Sequence, residues 1–338
     1  MGGPTSISGE IPGLRLGSGG SHVYDASGSV NVMRMRLGRP TLDNYSAGFS
    51  VPIATGELSV TFLGVATLLF TDGESAWLTD GFFTRPGLAR VALGKLTPSV
   101  ALIDEALTRT EVTSLAAVLP VHTHYDHALD SAVVADRTGA TLIGGESSAN
   151  LGRGHQLAPE RIQLVETGDS TRLGAFTITH LESAHCPPDR YPGQILAPVT
   201  APARAAAYKC GEAWSLLVRH DSGRTALVQG SAGFVAGALA GQQADVVYLG
   251  VGQLGVQSAD YIRTYWRETV RAVGARRVVL IHWDDFFRPL TRPLRALPYL
   301  GDNLDVTIRE LGALARQDGV SIHLPKVWQR EDPWAGLD

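Results

Sequence analysis

The chain has 338 residues, of which 44% are hydrophobic and 18% are charged, and its formal net charge is -4 at pH 7. This composition is typical of a globular protein with a sizeable core, and the small acidic balance without a long basic run disfavours a nucleic-acid partner. The two cysteines, Cys186 and Cys210, exclude a disulfide framework, and no stretch reaches the roughly 18 apolar residues of a membrane span.

Residues 1–55 are predicted to form an extended or partly disordered N-terminal arm, because they are rich in Gly and Ser and show no sustained hydrophobic period. The first 20 residues lack the apolar core of a secretion signal. Together with the few cysteines, this predicts a cytoplasmic protein. One folded domain is expected over 56–325, followed by a C-terminal tail at 326–338.

Short apolar runs and turn residues predict the elements of the first half of this domain. Pro98 precedes a predicted helix, and an Asp72-Gly73 turn joins two strands of a hairpin. The predicted elements are strands at 58–62, 67–70, 76–79, 115–121, 141–143 and 162–165 and helices at 99–110 and from 128 onward.

The segment 121–127, Val-His-Thr-His-Tyr-Asp-His, places three imidazoles and one carboxylate within six residues. His122 and His124 alternate in an extended chain, so their rings project to the same side. Asp126 and His127 follow where the chain turns into a helix. Because imidazole and carboxylate are ligands for zinc and similar divalent metals, the segment predicts two ligand pairs for two adjacent metal positions.

The second half repeats the pattern of the first after a proline-rich segment at 187–213, which we expect to be an inserted loop. Ser258 is expected to cap a helix. The predicted strands are 176–179, 214–219, 225–228, 246–249, 278–281 and 320–322, and a last helix runs from about 304 to 311. Two similar halves, 55–186 and 214–325, predict two sheets packed face to face with helices outside.

Complete metal sites need further ligands, and these are expected at later strand ends. His185 follows the strand 176–179, and His282 ends the strand 278–281. His180 competes with His185, but it still belongs to the alternating strand. The remaining histidines do not belong to such a cluster and are expected at the surface or in the core: His22, His155, His220 and His323.

The pattern His122-x-His124-x-Asp126-His127 resembles the signature of the metallo-β-lactamase-fold hydrolases. Segment 61–67 with Leu78-Thr79-Asp80 is similar to the branch with ascorbate-6-phosphate lactonase and N-acylphosphatidylethanolamine phospholipase D. The resemblance spans about residues 57–290. It implies an α/β (α+β) fold, a four-layer αββα sandwich of two mixed sheets with outer helices and a metal site at one edge.

The resemblance also implies how the ligands are shared between two metals. Site one would be formed by His122, His124 and His185, and site two by Asp126, His127 and His282. Asp80 would support the histidine segment without binding metal. The expected cofactor is Zn²⁺, two ions of unequal affinity, with Mn²⁺ and Fe²⁺ as alternatives.

This sequence departs from the family pattern at two places. Val65 stands where members of the branch usually have histidine, and Ser231 stands where the family has its metal-bridging aspartate. One subclass of di-zinc β-lactamases also has serine there, so two metals are expected, with one tight and one weak or absent metal as the alternative. Thr123 stands where oxygen-reducing di-iron relatives have glutamate. Asp284 either orients a ligand or approaches the second metal, or, as we expect, it caps the turn before Phe286.

The expected function is hydrolysis of an ester-like small molecule, a lactone or a phosphodiester, by metal-bound hydroxide, with Asp126 holding the hydroxide and relaying a proton. The insert 187–213 is expected to wall the pocket with Tyr191, Ile195 and Tyr208. Two alternatives stay open: a β-lactam or amide hydrolase, and a binding or sensing protein that kept the fold with one metal or none. The sequence leaves the oligomeric state open.

Overall fold

The computed structural model describes residues 23–24, 30–31 and 37–337. The chain divides into two compact units, Met1–Leu37 and Gly38–Asp338. In the first unit, the described residues form two short antiparallel strands, β1 Val23–Tyr24 and β2 Val30–Asn31. The rest of the expected N-terminal arm up to residue 36 lies outside the described residues.

The second unit contains two mixed sheets of seven strands each. The first is built from β3 Ser59–Phe62, β4 Leu68–Thr71, β5 Ala76–Thr79, β6 Ala117–Leu119, β7 Thr141–Gly144, β8 Ile162–Leu164 and β16 Arg330–Glu331. Its spatial order is β16-β3-β4-β5-β6-β7-β8. The second is built from β9 Ser170–Leu173, β10 Phe176–Glu182, β11 Trp214–His220, β12 Thr225–Gln229, β13 Val246–Gly250, β14 Arg277–Ile281 and β15 Ser321–His323. Its order is β15-β14-β13-β12-β11-β10-β9.

The α-helices of the second unit are α1 Leu88–Leu93, α2 Val100–Arg109, α3 Tyr125–Ala128, α4 Ser131–Thr138, α5 Glu146–Gly154, α6 Ala259–Trp266 and α7 Leu304–Asp318. The hydroxyl of Ser258 accepts the N–H of Tyr261 and caps α6 as predicted; a π-helical turn, Arg267–Arg271, then extends it. Helices α1 and α5 were not predicted. Within the described residues, no helix combines the length and the apolar character needed to cross a membrane.

Aromatic side chains join the inner faces of the two sheets. The ring of Phe70 stacks on Trp77 with centroids 4.3 Å apart, and it meets Phe176 and Tyr248 of the other sheet edge-on at 6.5 and 6.0 Å. All four residues are essentially excluded from solvent. On the far side of the first sheet, a second apolar cluster contains residues of α2 and α4. The predicted αββα sandwich is therefore confirmed.

The sheet directions bring several strand ends to one edge. Strands β5 and β6 are parallel, and so are β12, β13 and β14. Strand β10 has the same direction, because it is antiparallel to β11 and β11 is antiparallel to β12. Carboxyl ends of strands with a common direction meet at one edge of a sheet, so the residues that follow these strands are neighbours.

The ends of the domain are more ordered than the sequence indicated. Residues Leu42–Gly48 form a 3₁₀ helix, and the carbonyl of Gly48 accepts the N–H of Leu324. The expected tail contributes β16, which pairs with β3, and Trp334, whose indole N–H donates to the carbonyl of Thr225 at 2.8 Å. The expected arm at 38–55 and the tail at 326–337 therefore pack on the domain. The insert 187–213 contains one short 3₁₀ turn, Ala205–Ala207, and is otherwise irregular, as predicted.

Candidate metal centre

Six side chains meet at the shared edge of the sheets as two groups of three. His122, His124 and His185 form the first group, and Asp126, His127 and His282 form the second. Within each group, one ligand atom from each residue lies within 4.8 Å of the other two. The structure thus brings together the residues that the sequence assigned to site one and site two.

The histidine segment reaches this edge because β6 ends on it. His122 follows Leu119, the last residue of β6, after two residues, and His124 is the extended N-cap of α3. Asp126 and His127 lie inside this four-residue helix. Asp126 occupies the first turn, where a negative charge is favourable next to free backbone N–H groups.

The distances in the second group suit a metal ion. Nε2 of His127 lies 3.1 Å from Nε2 of His282, and Oδ2 of Asp126 lies 3.6 Å from the same atom of His282. Oδ2 of Asp126 is 4.0 Å from Nε2 of His127. Tetrahedral ligands at about 2.0–2.2 Å from zinc are about 3.3–3.6 Å from one another. The three atoms are therefore spaced to hold one ion after small adjustments.

Asp80 fixes the ring of His127. Its Oδ2 lies 2.7 Å from Nδ1 of His127, and its Oδ1 accepts the N–H of Val121 at 2.8 Å. Both side chains are fully buried. Because Nδ1–H donates to the carboxylate, the lone pair of His127 is on Nε2, the atom that faces His282. This contact is the supporting role that the resemblance implies for Asp80.

The first group has a matching arrangement of ring nitrogens. Nδ1 of His185 lies 2.7 Å from the carbonyl of Cys186, so its Nε2 is free for a ligand bond. Nε2 of His124 lies 3.3 Å from the carbonyl of Tyr191, which leaves Nδ1 free. Nε2 of His122 is buried and has no hydrogen-bond partner. A buried polar atom without a partner is costly, and a metal ion at this group would satisfy it.

Burial keeps the ligand histidines neutral. It lowers the pKa of His122 and His127 well below the ordinary value of 6.5, with neighbouring histidines adding to the effect. Burial also lowers the pKa of His124 and His282 to about 4, and it raises the pKa of Asp126 to about 7. Neutral imidazole is the form that binds a metal, so these rings need no deprotonation at neutral pH.

A buried ion pair holds the backbone next to His282. Asp284 and Arg85 pair with each other, and both side chains are fully excluded from solvent. Asp284 also accepts the N–H of Val65 at 2.9 Å, and the carbonyl of Val65 accepts the N–H of His282 at 2.7 Å. The expectation that Asp284 caps a turn before Phe286 is therefore wrong, because its carboxylate is drawn into this buried network.

The backbone around the centre adopts unusual conformations. His282, Asp80, Val65 and Arg85 have positive φ angles of 59°, 54°, 53° and 44°. This region is disfavoured for residues with a Cβ, and strongly so for β-branched Val65. Such strain persists where the surroundings over-determine the conformation, as the two hydrogen bonds of the Val65 backbone do here.

Ser231 follows β12 at the same edge and is 7% exposed. Its hydroxyl oxygen accepts the N–H of Cys186 at 3.0 Å. Cys186 directly follows His185, so the serine holds the turn that carries this histidine. Cys186 itself is buried and burial raises its pKa to about 12, so it is not a reactive thiol at neutral pH.

The remaining histidines that the structure describes lie outside the two groups. His180 is buried against the ring of Trp214 in β10, and neither ring nitrogen has a hydrogen-bond partner. His155 lies near Asp136, His220 near Ser222 and His323 near Ser50. His185 is therefore the histidine of this region that reaches the centre. His22 lies outside the described residues.

Aromatic rings flank the centre. The ring of Tyr191 lies 6.3 Å from that of His124, and the ring of Phe286 lies 5.8 Å from that of His282. Both are partly exposed. The other two expected wall residues, Ile195 and Tyr208, are each 3% exposed and belong to an apolar cluster beneath the surface. Both pack within this cluster, and their assignment as pocket contacts stays a prediction.

Sequence reasoning missed three residues near the centre: Arg85, Asp189 and Cys210. Asp189 and Cys210 form a third group with His124, again with ligand atoms within 4.8 Å of one another. A carboxylate four residues after His185 was a signal that could have pointed to Asp189. Arg85 carried no comparable signal, since nothing in its local sequence indicates a buried partner.

No protein-family description matches this sequence, and a search of curated proteins finds no match. Solved structures with a similar fold exist. Two are provisionally described as metal-dependent hydrolases. The one from Veillonella parvula has a TM-score of 0.51 and 16% identity, and the match covers 81% of this chain and 99% of that chain. The one from Parabacteroides distasonis has a TM-score of 0.50 and 14% identity, and the match covers 82% of this chain and 99% of that chain. A third is CmlA, a diiron β-hydroxylase from Streptomyces venezuelae, with a TM-score of 0.50 and 14% identity; the match covers 82% of this chain and 54% of that chain. At these identities the likeness shows the fold.

Proposed function

We propose that this chain is a zinc-dependent hydrolase that acts on an ester-like small molecule, a lactone or a phosphodiester. One observation carries the proposal: two three-ligand groups lie side by side at one sheet edge, and the rings of His122 and His127 approach to 3.8 Å between centroids. Two structural neighbours described provisionally as metal-dependent hydrolases support it.

The two groups would hold two divalent ions. His122, His124 and His185 would bind the first, and Asp126, His127 and His282 the second. Bound zinc supplies Lewis acidity, which polarises an acyl or phosphoryl oxygen and lowers the pKa of water to about 7. We expect unequal affinities, because the first group is three neutral imidazoles, the second includes a carboxylate, and Ser231 offers no bridge between them.

The protein residues position water and move its proton. Oδ2 of Asp126 belongs to the second ligand group, 3.6 Å from Nε2 of His282, so the other oxygen of this carboxylate would accept a proton from the attacking water and return it to the leaving group. Asp80 and the carbonyl of Cys186 keep His127 and His185 in the tautomers that face the centre. Tyr191 and Phe286 flank the opening and would limit the access of bulk water.

Zinc is proposed over iron on the contacts of Thr123. This residue stands where oxygen-reducing di-iron relatives have glutamate, and one structural neighbour is a diiron β-hydroxylase. Here the Thr123 hydroxyl is buried and donates to the carbonyl of Lys209 at 2.6 Å. It offers no carboxylate to a second iron, which favours hydrolytic chemistry.

A hydrolysis screen tests the proposal. Purified protein loaded with Zn²⁺ is assayed against lactones, phosphodiesters and β-lactam or amide compounds, with and without a chelator. We expect turnover of a lactone or phosphodiester that the chelator abolishes and that Asp126→Asn and His122→Ala reduce by at least about 100-fold. His180→Ala is the matched control, since His180 is buried outside the centre, and it should retain the activity.

The competing proposal is a non-enzymatic protein that uses the same edge to bind or sense a ligand. The serine at position 231 is the feature that favours it. Tight binding of two zinc ions with turnover in the screen would exclude this alternative. Protein that binds no transition metal, or hydrolysis unchanged in Asp126→Asn and His122→Ala, would instead refute the hydrolase.

We also propose that the protein works in the cytoplasm. Cys186 and Cys210 are both free and buried, which is in keeping with a reducing compartment. Fractionation of the native cells, with detection by antibody, would test this location.

A further inference from the structure

The insert 187–213 is fastened to the histidine segment. The N–H of Thr123 donates to the carbonyl of Cys210 at 2.8 Å, and its hydroxyl donates to the carbonyl of Lys209. The N–H of Cys210 in turn donates to the carbonyl of Tyr191 at 2.9 Å. The beginning and the end of the insert, at Tyr191 and Cys210, are thus hydrogen-bonded to each other, and the end is also bonded to Thr123 between His122 and His124.

One side chain of the insert reaches a proposed ligand. Oδ1 of Asp189 lies 3.2 Å from Nε2 of His124 and accepts the N–H of Tyr191 at 2.9 Å. The Asp189 side chain is 23% exposed, while that of His124 is 6% exposed. Nε2 of His124 therefore faces two oxygen acceptors, Oδ1 of Asp189 and the carbonyl of Tyr191. The proton is therefore on Nε2, and Nδ1 is left with the lone pair for a metal.

This contact has a counterpart in the second group. Asp80 accepts from Nδ1 of His127 and leaves Nε2 for the metal. Each group therefore contains one histidine backed by a carboxylate, although the two carboxylates come from unrelated parts of the chain. A carboxylate behind a ligand histidine fixes its orientation and raises its basicity. Because Ser231 offers no anionic bridge, the carboxylates at the two sites are Asp126 in the second group and Asp189 and Asp80 behind one histidine of each group.

We propose that Asp189 is a positioning residue of the first metal site, and that the insert delivers to His124 the support that Asp80 gives to His127. The inference rests on the proposed metal centre. It requires that the two sites respond separately: loss of Asp189 weakens the first site, and loss of Asp80 weakens the second. The insert is then part of the metal centre and not only a wall of the pocket.

The third ligand group offers a different role for the same carboxylate. His124, Asp189 and Cys210 are close enough to hold an ion of their own. That ion would have to bind Nε2 of His124, the atom that lies 3.3 Å from the Tyr191 carbonyl and carries the proton. This geometry favours the positioning role, and a Cys210 variant separates the alternatives.

Metal titration of the full chain tests the proposal. Protein stripped with a chelator is titrated with Zn²⁺ against a competing chelator, which gives a dissociation constant for each site, and with Co²⁺, whose visible spectrum reports the ligands of each site. Asp189→Asn keeps an acceptor oxygen and removes the charge. We expect it to weaken one site about 10- to 100-fold and to shift its Co²⁺ bands, with the other site unchanged.

The remaining variants serve as controls. Asp80→Asn should weaken the other site by a similar factor, Asp189→Glu should restore part of the affinity, and Glu182→Gln and Cys210→Ser should leave both constants within about twofold. Glu182 is an exposed carboxylate three residues before His185. Should Asp189→Asn fail to fold, judged by thermal unfolding of the metal-free protein, Asp189→Ser gives the same readout.

Several results would overturn the proposal. The positioning role would be refuted if Asp189→Asn left both Zn²⁺ dissociation constants unchanged or weakened both sites equally. It would also be refuted if the wild type bound a third ion that Cys210→Ser lost. These results would leave the proposed hydrolase intact. Wild-type protein that binds no metal would refute the metal centre itself, and the two failures are thereby distinguished.

Discussion

The hydroxyl of Ser231 accepts the backbone N–H of Cys186 at 3.0 Å, and this hydrogen bond holds the turn that carries His185. In the fold that the sequence resembles, an aspartate at this position bridges two metals. Here the side chain is too short and uncharged, and it is directed to the protein backbone. Ser231 therefore supports a proposed metal ligand and offers no carboxylate between the two ligand groups.

Substitution at Ser231 should separate these two roles. Ser231→Asp places a carboxylate at the edge between the ligand groups, and we expect it to tighten the weaker Zn²⁺ site by at least about 10-fold. Ser231→Asn has the same shape without the charge and should not. Calorimetric titration with Zn²⁺ measures the affinity of each variant. Equal Zn²⁺ affinities in Ser231→Asp and Ser231→Asn would show that a carboxylate at this position does not bridge the two sites.

Ser231→Ala should lower stability in the absence of metal. The buried N–H of Cys186 would lose its acceptor, which costs about 1–3 kcal/mol in the free energy of unfolding. Urea denaturation of the chelator-treated protein measures the change. Ser222→Ala, at an exposed position, is the control and should have little effect.

The buried pair of Arg85 and Asp284 should be strongly coupled. Removal of one partner leaves an uncompensated buried charge, so Arg85→Met and Asp284→Asn should each lower the free energy of unfolding by about 3–5 kcal/mol. The double variant should lose clearly less than the sum of the two. Urea denaturation of the chelator-treated proteins provides the double-mutant cycle, and strictly additive losses would show that the pair does not act as a unit.

Glu331 predicts a pH dependence of stability. Burial raises the pKa of this carboxyl in β16 from its ordinary value of 4.5 to about 8. The folded state therefore holds a proton that the unfolded state has released, and this contribution is present below about pH 4.5 and is lost as the pH rises toward 8.

Relative to Glu331→Gln, the wild type should therefore lose more than about 1 kcal/mol of unfolding free energy over this interval, because each pKa unit corresponds to about 1.4 kcal/mol. The amide can still accept the N–H of Lys326, as Glu331 does at 2.9 Å. Urea denaturation at several pH values measures the difference. Glu57→Gln is the control, since the Glu57 side chain is 76% exposed, and a parallel pH profile of wild type and Glu331→Gln would refute the prediction.

The strand ends, the choice of His185 and the layers of the fold could be predicted, because local sequence patterns determine them. Strand ends are visible as the last residues of apolar runs, so His122, His185 and His282 could be placed at one edge from the sequence alone. The choice of His185 over His180 depended on the alternation of β10, which buries His180 against Trp214. The repeated halves of the chain indicated the outer layers and the facing sheets.

The rest depended on contacts between segments far apart in the sequence. Arg85 and Asp284 are separated by 199 positions, and each alone is an ordinary charged residue. Asp189 acquires its contact with His124 only through the path of an irregular insert, for which hydrophobic periodicity contains no information. Trp334 is buried in the main core and donates a hydrogen bond to Thr225 of a distant strand, contacts that the local sequence does not indicate, so the tail could not be recognised as part of the fold.

Elemental analysis after Zn²⁺ loading and gel filtration tests most directly whether the chain holds two separate metal sites without a carboxylate bridge. We predict two zinc ions per chain for the wild type and for His180→Ala, and one each for His185→Ala and His282→Ala. Absence of zinc in the wild type, or loss of both ions in either ligand variant, would contradict the account.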